Sequence, residues 1–96
     1  MQSNLFWIDS ARKTIIIMSE HSKHMRVLVH CQDPKALVYV HSKNVLAFID
    51  GSNLMETSLD GQLTSLLASN VSPTALLLTY SEEAKSYLIA GQEGTK

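Results

Sequence analysis

Asp50 is the residue whose neighbours best suit it for chemistry: the apolar run Ala47-Phe-Ile49 ends on its carboxylate, and Gly51, Ser52 and Asn53 follow at once. A carboxylate so placed could ligate Mg²⁺ or Mn²⁺ and help activate a water, provided that other carboxylates converge on the same ion, because one monodentate ligand cannot fix an octahedral metal. Downstream acids include Asp60, Glu82 and Glu83, but the last two sit where the start of a helix would favour negative charge. Asp-Gly-Ser-Asn is also an ordinary turn sequence, with Gly supplying a positive φ and Asp or Asn bonding to the local backbone. The turn is the expected role of Asp50.

Soft and borderline ligands form a second group. His21 and His24 are three residues apart, and His30, Cys31 and His41 follow, so five such side chains fall between positions 21 and 41. Asp50, His21 and His24 are the candidate metal ligands. No second Cys or His pair completes a structural zinc pattern, so the histidines are expected to be solvated or hydrogen-bonded, and no cofactor is expected. A nucleophilic Cys31 would need a nearby cation or a helix N-terminus. His30, its neighbour in an extended segment, points to the other face.

The elements that would carry these residues begin with Leu5–Ile8 and Thr14–Met18, rich in β-branched and aromatic residues and joined by a loop of hairpin length. Met25–Cys31 and Ala36–His41 alternate in phase across Asp33-Pro34, which predicts a second hairpin. It sets Met25, Val27, Val29 and Cys31 with Ala36, Val38 and Val40 on one apolar face, and Arg26, His30, Tyr39 and His41 on the other. The competing reading of this segment is a helix capped by Asp33 with Pro34 at its first position. Asn44–Ile49 and Thr74–Tyr80 read as buried strands. Met55, Leu59, Leu63, Leu66 and Leu67 follow a helical stripe that ends at Asn70, and Ser81-Glu-Glu-Ala opens a second helix running to Ala90. The expected fold is α+β: a mainly antiparallel sheet of five or six strands with two helices on one face, the alternative being a small three-layer α/β domain. No internal repeat is evident. Residues 1–90 read as one domain and residues 91–96 as a loose tail.

Two short resemblances bear on function. "FIDGSNL" is similar to the opening strand of PIN-like nucleases of the NYN type, which implies an aspartate, here Asp50, that helps hold a divalent metal. An apolar strand followed by Asp-Gly, ahead of a helix and a strand, resembles small sulfur-relay proteins of the DsrE type and implies a thiol carrier using Cys31.

Composition narrows the classes. Eight basic and nine acidic residues give a net charge of −1 without a run of either sign, so neither nucleic acid nor an anionic membrane is an expected partner. A lone cysteine and the absence of a signal-like N-terminus or a long apolar run fit a soluble protein of the cytoplasm. Only 18% of the residues are charged, which favours burial of surface against a partner, most simply a homodimer, otherwise another protein or a small ligand. No Gly-rich phosphate loop or serine elbow is present, so an enzyme is less expected than a binding protein. The expected function is an accessory or regulatory binding module acting through a sheet face or edge, here Arg26, His30, Tyr39 and His41 or the triple isoleucine of Thr14–Met18. A metal-dependent hydrolase centred on Asp50 and a thiol carrier using Cys31 are the alternatives.

Overall fold

The computed structural model describes residues 3–73 and 75–91, and among them the chain forms nine strands and no helix. Strands β1 (Asn4–Asp9), β2 (Thr14–Ser19) and β3 (Met25–His30) make the first sheet. Strands β4 (Pro34–Val40), β5 (Val45–Asp50), β6 (Asn53–Ser58) and β7 (Thr64–Ala68) make the second, and β8 (Ala75–Ser81) with β9 (Ser86–Gly91) the third. Each strand pairs antiparallel with its sequence neighbours inside its sheet. No helix among these residues is long and apolar enough to cross a membrane.

This corrects the α+β expectation, and the α/β alternative fails with it. The stripe from Met55 to Leu67 becomes β6, a turn and β7. Leu59 packs against buried residues of the first two sheets, but Leu63 is 75% exposed, Leu66 58% and Leu67 41%. The turn competes successfully because Ser58 and Asp60 satisfy its backbone. Ser58 Oγ donates to Asp60 Oδ1 at 2.6 Å, the Gln62 amide donates to the same oxygen at 2.9 Å, and the Leu63 amide donates to Ser58 Oγ at 3.1 Å. The second predicted helix is likewise a hairpin. Ser81 Oγ accepts from the Ala84 amide at 3.0 Å as an N-cap would, but Lys85 turns left-handed at φ 59° and sends the chain back as β9. Gly91, assigned to the tail, closes β9, and the rest of that segment, 92–96, lies outside the described residues.

The hairpin expected across Asp33-Pro34 is absent too. β3 pairs with β2 and β4 with β5, so the Cys31–Asp33 linker steps between sheets. Nor is Thr14–Met18 an edge, since β2 lies between β1 and β3.

Alternation along β5 decides how the sheets stack. Leu46 and Phe48 point into a core with Ile15, Ile17 and Leu28 of the first sheet, while Ala47 and Ile49 point into another with Leu54, Ala36, Ala75 and Leu78. The second sheet is therefore covered on both faces, and β5 reads as an unbroken apolar run for that reason.

The architecture repeats, which corrects the reading of a chain without repeats. β1, β5 and β9 begin at Asn4, Val45 and Ser86, each 41 positions after the last, and β4 and β8 begin 41 apart at Pro34 and Ala75. β2 and β6, like β3 and β7, are offset by 39. Hydrogen bonds recur as well: the Cys31 amide donates to the Lys13 carbonyl at 2.8 Å in the first sheet, and the Val71 amide to the Ser52 carbonyl at 2.8 Å in the second.

The β6–β7 turn reaches across to the first sheet at Gly61. Its φ is 75°, and a Cβ there would lie 2.6 Å from the Leu28 carbonyl oxygen, whereas a Cβ at Gly51, with φ 64°, would meet nothing within 4 Å. Both substitutions by Ala strain the backbone by about 1 kcal/mol, and Gly61→Ala adds an overlap with main chain that has no rotamer to yield. Urea unfolding should show Gly61→Ala as the more destabilising by at least about 1 kcal/mol; equal losses would mean that the turn does not press on β3.

Candidate functional site

Asp50 ends β5 with its carboxylate turned toward the linker between the first two sheets. Its Oδ1 accepts the Gln32 amide at 3.0 Å and the Asp33 amide at 2.7 Å, and Oδ2 accepts the Gln32 amide at 3.2 Å. In return the Gly51 amide donates to the Asp33 carbonyl at 2.9 Å. Both carboxylate oxygens thus serve a structural clamp. Among the described residues no three His, Cys, Asp or Glu side chains gather as a metal site. His21 and His24 occupy the β2–β3 loop, one strand length, roughly 17–20 Å, from the end of β3 where Asp50 holds the linker.

Cys31 lies in that linker. Burial and the Asp50 carboxylate push its thiol up to about 11, so it is protonated at neutral pH and is a poor nucleophile. The four residues assigned to one sheet face do not share one. Arg26 donates through Nη2 to the Leu59 carbonyl at 2.7 Å, bridging β3 to the β6–β7 turn. Tyr39 stacks on Phe6 with ring centroids 5.6 Å apart, donates to Asn44 Oδ1 at 2.6 Å and meets His41 edge-on. His30, at the end of β3, is exposed in the cleft that also holds Asp50.

A polar cluster missed in the sequence sits between the second and third sheets. Glu56 Oε2 accepts from Lys43 Nζ at 2.7 Å and from the Tyr87 hydroxyl at 2.7 Å, and Tyr80 packs edge-on against Tyr87 with centroids 4.8 Å apart. Lys43 Nζ also lies 5.8 Å and 5.6 Å from the two ring centres. Burial raises the Glu56 carboxyl, but the Lys43 and Tyr87 hydrogen bonds outweigh it and leave the group below the ordinary glutamate range. The same contact holds the Lys43 ammonium above its usual value, and burial with the Glu56 bond does so for Tyr87. No spacing in the sequence announces this triad, because its members lie on a loop, β6 and β9.

The first sheet also carries an open apolar patch. On the first sheet, Leu5 (43% exposed), Trp7 (38%), Met25 (60%) and Val27 (41%) lie open. Trp7, Asp9, Ile16 and Met25 line a cleft there, and their equivalents one repeat later, Phe48, Asp50, Met55 and Thr64, line the cleft between the first two sheets. Leu46 and Phe48, the equivalents of Leu5 and Trp7, are 0% and 3% exposed. The apolar face read from the sequence is split: Met25 and Val27 lie open on the first sheet, Val29 and Cys31 pack against the core between the first two sheets, and Ala36, Val38 and Val40 pack in the core shared by the second and third. Compared with known proteins, the chain matches no family model and no curated protein.

Two measurements test these assignments. A carboxyl held low in the folded state contributes stability that is present above the unfolded value of about 4.3 and is lost as the pH falls through its lower folded value. Lys43→Met leaves Glu56 desolvated without its cation, so the acid-unfolding midpoint, followed by circular dichroism, should move to higher pH; an unmoved midpoint would show that the pair is inert. Cys31 in the folded chain should react with iodoacetamide at pH 8 at least about a hundredfold more slowly than in urea, as its thiolate fraction requires, and comparable rates would restore a reactive thiol.

Proposed function

We propose that the chain is a repeat-built interaction scaffold without chemistry of its own, which binds a partner through the open face of its first sheet. Units of about 40 residues with four antiparallel strands each are the pattern of β-propeller blades, and the strand spacing and face-to-face stacking support that reading. Here the second sheet is one whole unit, the first carries the equivalents of its last three strands, and the third those of its first two.

The single observation that carries the proposal is the contrast between Trp7, 38% exposed, and Phe48, 3% exposed, at the same position of successive units. Leu5 and Trp7 left open on one sheet, when their counterparts Leu46 and Phe48 on the next are covered, mark with the neighbouring Met25 and Val27 an interface in want of a partner. Hydrolysis at Asp50 is disfavoured because both its oxygens hold amides, and sulfur transfer at Cys31 because its thiol stays protonated.

The apolar probe anilinonaphthalene sulfonate should fluoresce with the native chain, and the double variant Trp7→Ser, Val27→Ser should lose more than half of that signal while its melting temperature stays within a few degrees. A signal unaffected by the double variant would place the binding surface elsewhere and sink the proposal.

A further inference from the structure

We propose that two copies of this chain associate head to tail, the open face of each first sheet, around Leu5 and Trp7, closing on the outer face of the other copy's third sheet, around Leu88. This rests on the scaffold reading above and names the partner of that surface. Three observations carry it.

The first is a contact that the molecule already uses twice. Each sheet has a leading face, turned toward the sheet before it in the chain, and a trailing face, turned toward the one after. Phe6 and Ile8 on the trailing side of β1 pack with Leu46 and Phe48 on the leading side of β5. At the next joint, Ala47 and Ile49 on the trailing side of β5 pack with Tyr87 on the leading side of β9. The offset of 41 makes Leu88 and Ala90 the next trailing pair, and Leu5 and Trp7 the first leading pair. Both halves of a third joint therefore stand uncovered at the two ends of the same molecule.

The second is the chemistry of those two faces. Cross-strand register puts Leu77 and Thr79 of β8 on the same face as Ala90 and Leu88 of β9. Leu77 is 57% exposed and Leu88 59%, Thr79 and Ala90 are exposed too, and none of the four is charged. On the first sheet Leu5 and Trp7 share their face with Met18 and Ile16, their partners on β2, and with Met25 and Val27 of β3. Asp9, at the end of β1, keeps its Arg12 partner. Joining the two faces takes apolar surface out of water on both sides and leaves no charge unpaired.

The third is polarity and count. A sheet laid on the trailing face of the second sheet must bring a hydroxyl to Glu56 as Tyr87 does, and the first sheet has Leu5 at that position. The trailing face of the third sheet presents no such carboxylate among the described residues, so the Trp7 face fits there. Two Trp7 faces laid on each other would leave Leu77 and Leu88 in water in both copies. A head-to-tail contact repeats until it closes on itself. Each copy brings three sheets, so a pair brings six, within the roughly four to eight at which sheets of this kind complete a ring, whereas three copies bring nine. Two identical joints then close the pair.

Sedimentation of the chain across a dilution series should show single and paired chains only, and acrylamide quenching of Trp7, the one tryptophan, should fall severalfold as the pair forms. Leu5→Asp and Leu88→Asp each put a carboxylate into the apolar joint, and each should raise the concentration of half-association at least about a hundredfold. An equimolar mixture of the two variants should recover a pair, held by the one joint whose faces are both intact. Should either aspartate variant not fold, Leu5→Thr and Leu88→Thr, which suit a strand, should show the same pattern at about tenfold. A chain that stays monomeric at millimolar concentration, a ladder of larger species, or a mixture that does not recover overturns the proposal. So does a Leu88→Asp variant that pairs as the native chain does, since two Trp7 faces would then meet each other. The naphthalene probe competes with the second copy, so its signal per chain should fall as the pair forms. Probe binding by a chain that never pairs sinks only the present inference and leaves another partner for the scaffold; a chain that neither pairs nor binds the probe removes the scaffold reading as well.

Discussion

The fold hangs on a carboxylate that grips the backbone of the segment leaving the preceding sheet. Cys31 is tied through its amide to Lys13 in the first sheet, and the next two amides are tied to Asp50 in the second, so three consecutive residues are shared between the sheets. Hydrogen bonds to a charged acceptor are stronger than neutral ones, and these fix a rotation as well as a distance. That rotation lets Leu46 and Phe48 meet Ile15, Ile17 and Leu28. The position equivalent to Asp50 in the third sheet is Gly91, which has no carboxylate to offer, and in the following linker the Pro73 carbonyl accepts from the Lys35 ammonium at 2.9 Å.

Much of this was legible, and the rest was hidden for physical reasons. Six strands stand close to where apolar alternation places them, from Leu5–Ile8 to Thr74–Tyr80, and the first hairpin pairs as its loop length implies. Asp50 as a residue of a turn was also legible, since Asp-Gly announces a positive φ and Gly51 has one of 64°. Its grip on Gln32 and Asp33 was not, because the partners lie 18 and 17 positions away and no local pattern encodes them. The leucines from 59 to 67 mislead because four-residue spacing is only weak evidence for a helix when two short strands and a turn can produce the same spacing. Ser58 and Asp60, side chains that compete for backbone groups, were the contrary signal.

The repeat escaped notice because its members share position more than residue type. Asn4-Leu-Phe-Trp-Ile-Asp9 and Val45-Leu-Ala-Phe-Ile-Asp50 keep Leu, Ile and Asp in place, but the third copy, Ser86-Tyr-Leu-Ile-Ala-Gly91, keeps none of them. The register also slips within each unit. β1 turns into β2 through the four residues Ser10–Lys13, and β5 into β6 through the two residues Gly51 and Ser52, which accounts for the change in offset from 41 to 39. A search at one fixed period loses half of each unit.

Stacked sheets of one kind raise a problem of order, since any leading face could in principle settle on any trailing face. The Glu56 cluster addresses it. Ile17 lies in the core between the first two sheets, and Glu56, 39 positions later at the equivalent site of β6, faces the third sheet. A sheet that covers Glu56 must bring a hydroxyl where Tyr87 brings one, and Lys43 must stand beside it from the second sheet's own β4–β5 loop. The leading face of the second sheet presents Leu46 at the position of Tyr87 and would leave the carboxylate short of a donor in an apolar contact, a costly arrangement. The purely apolar interface sets how strongly sheets adhere, and the one charged position sets which sheet follows which.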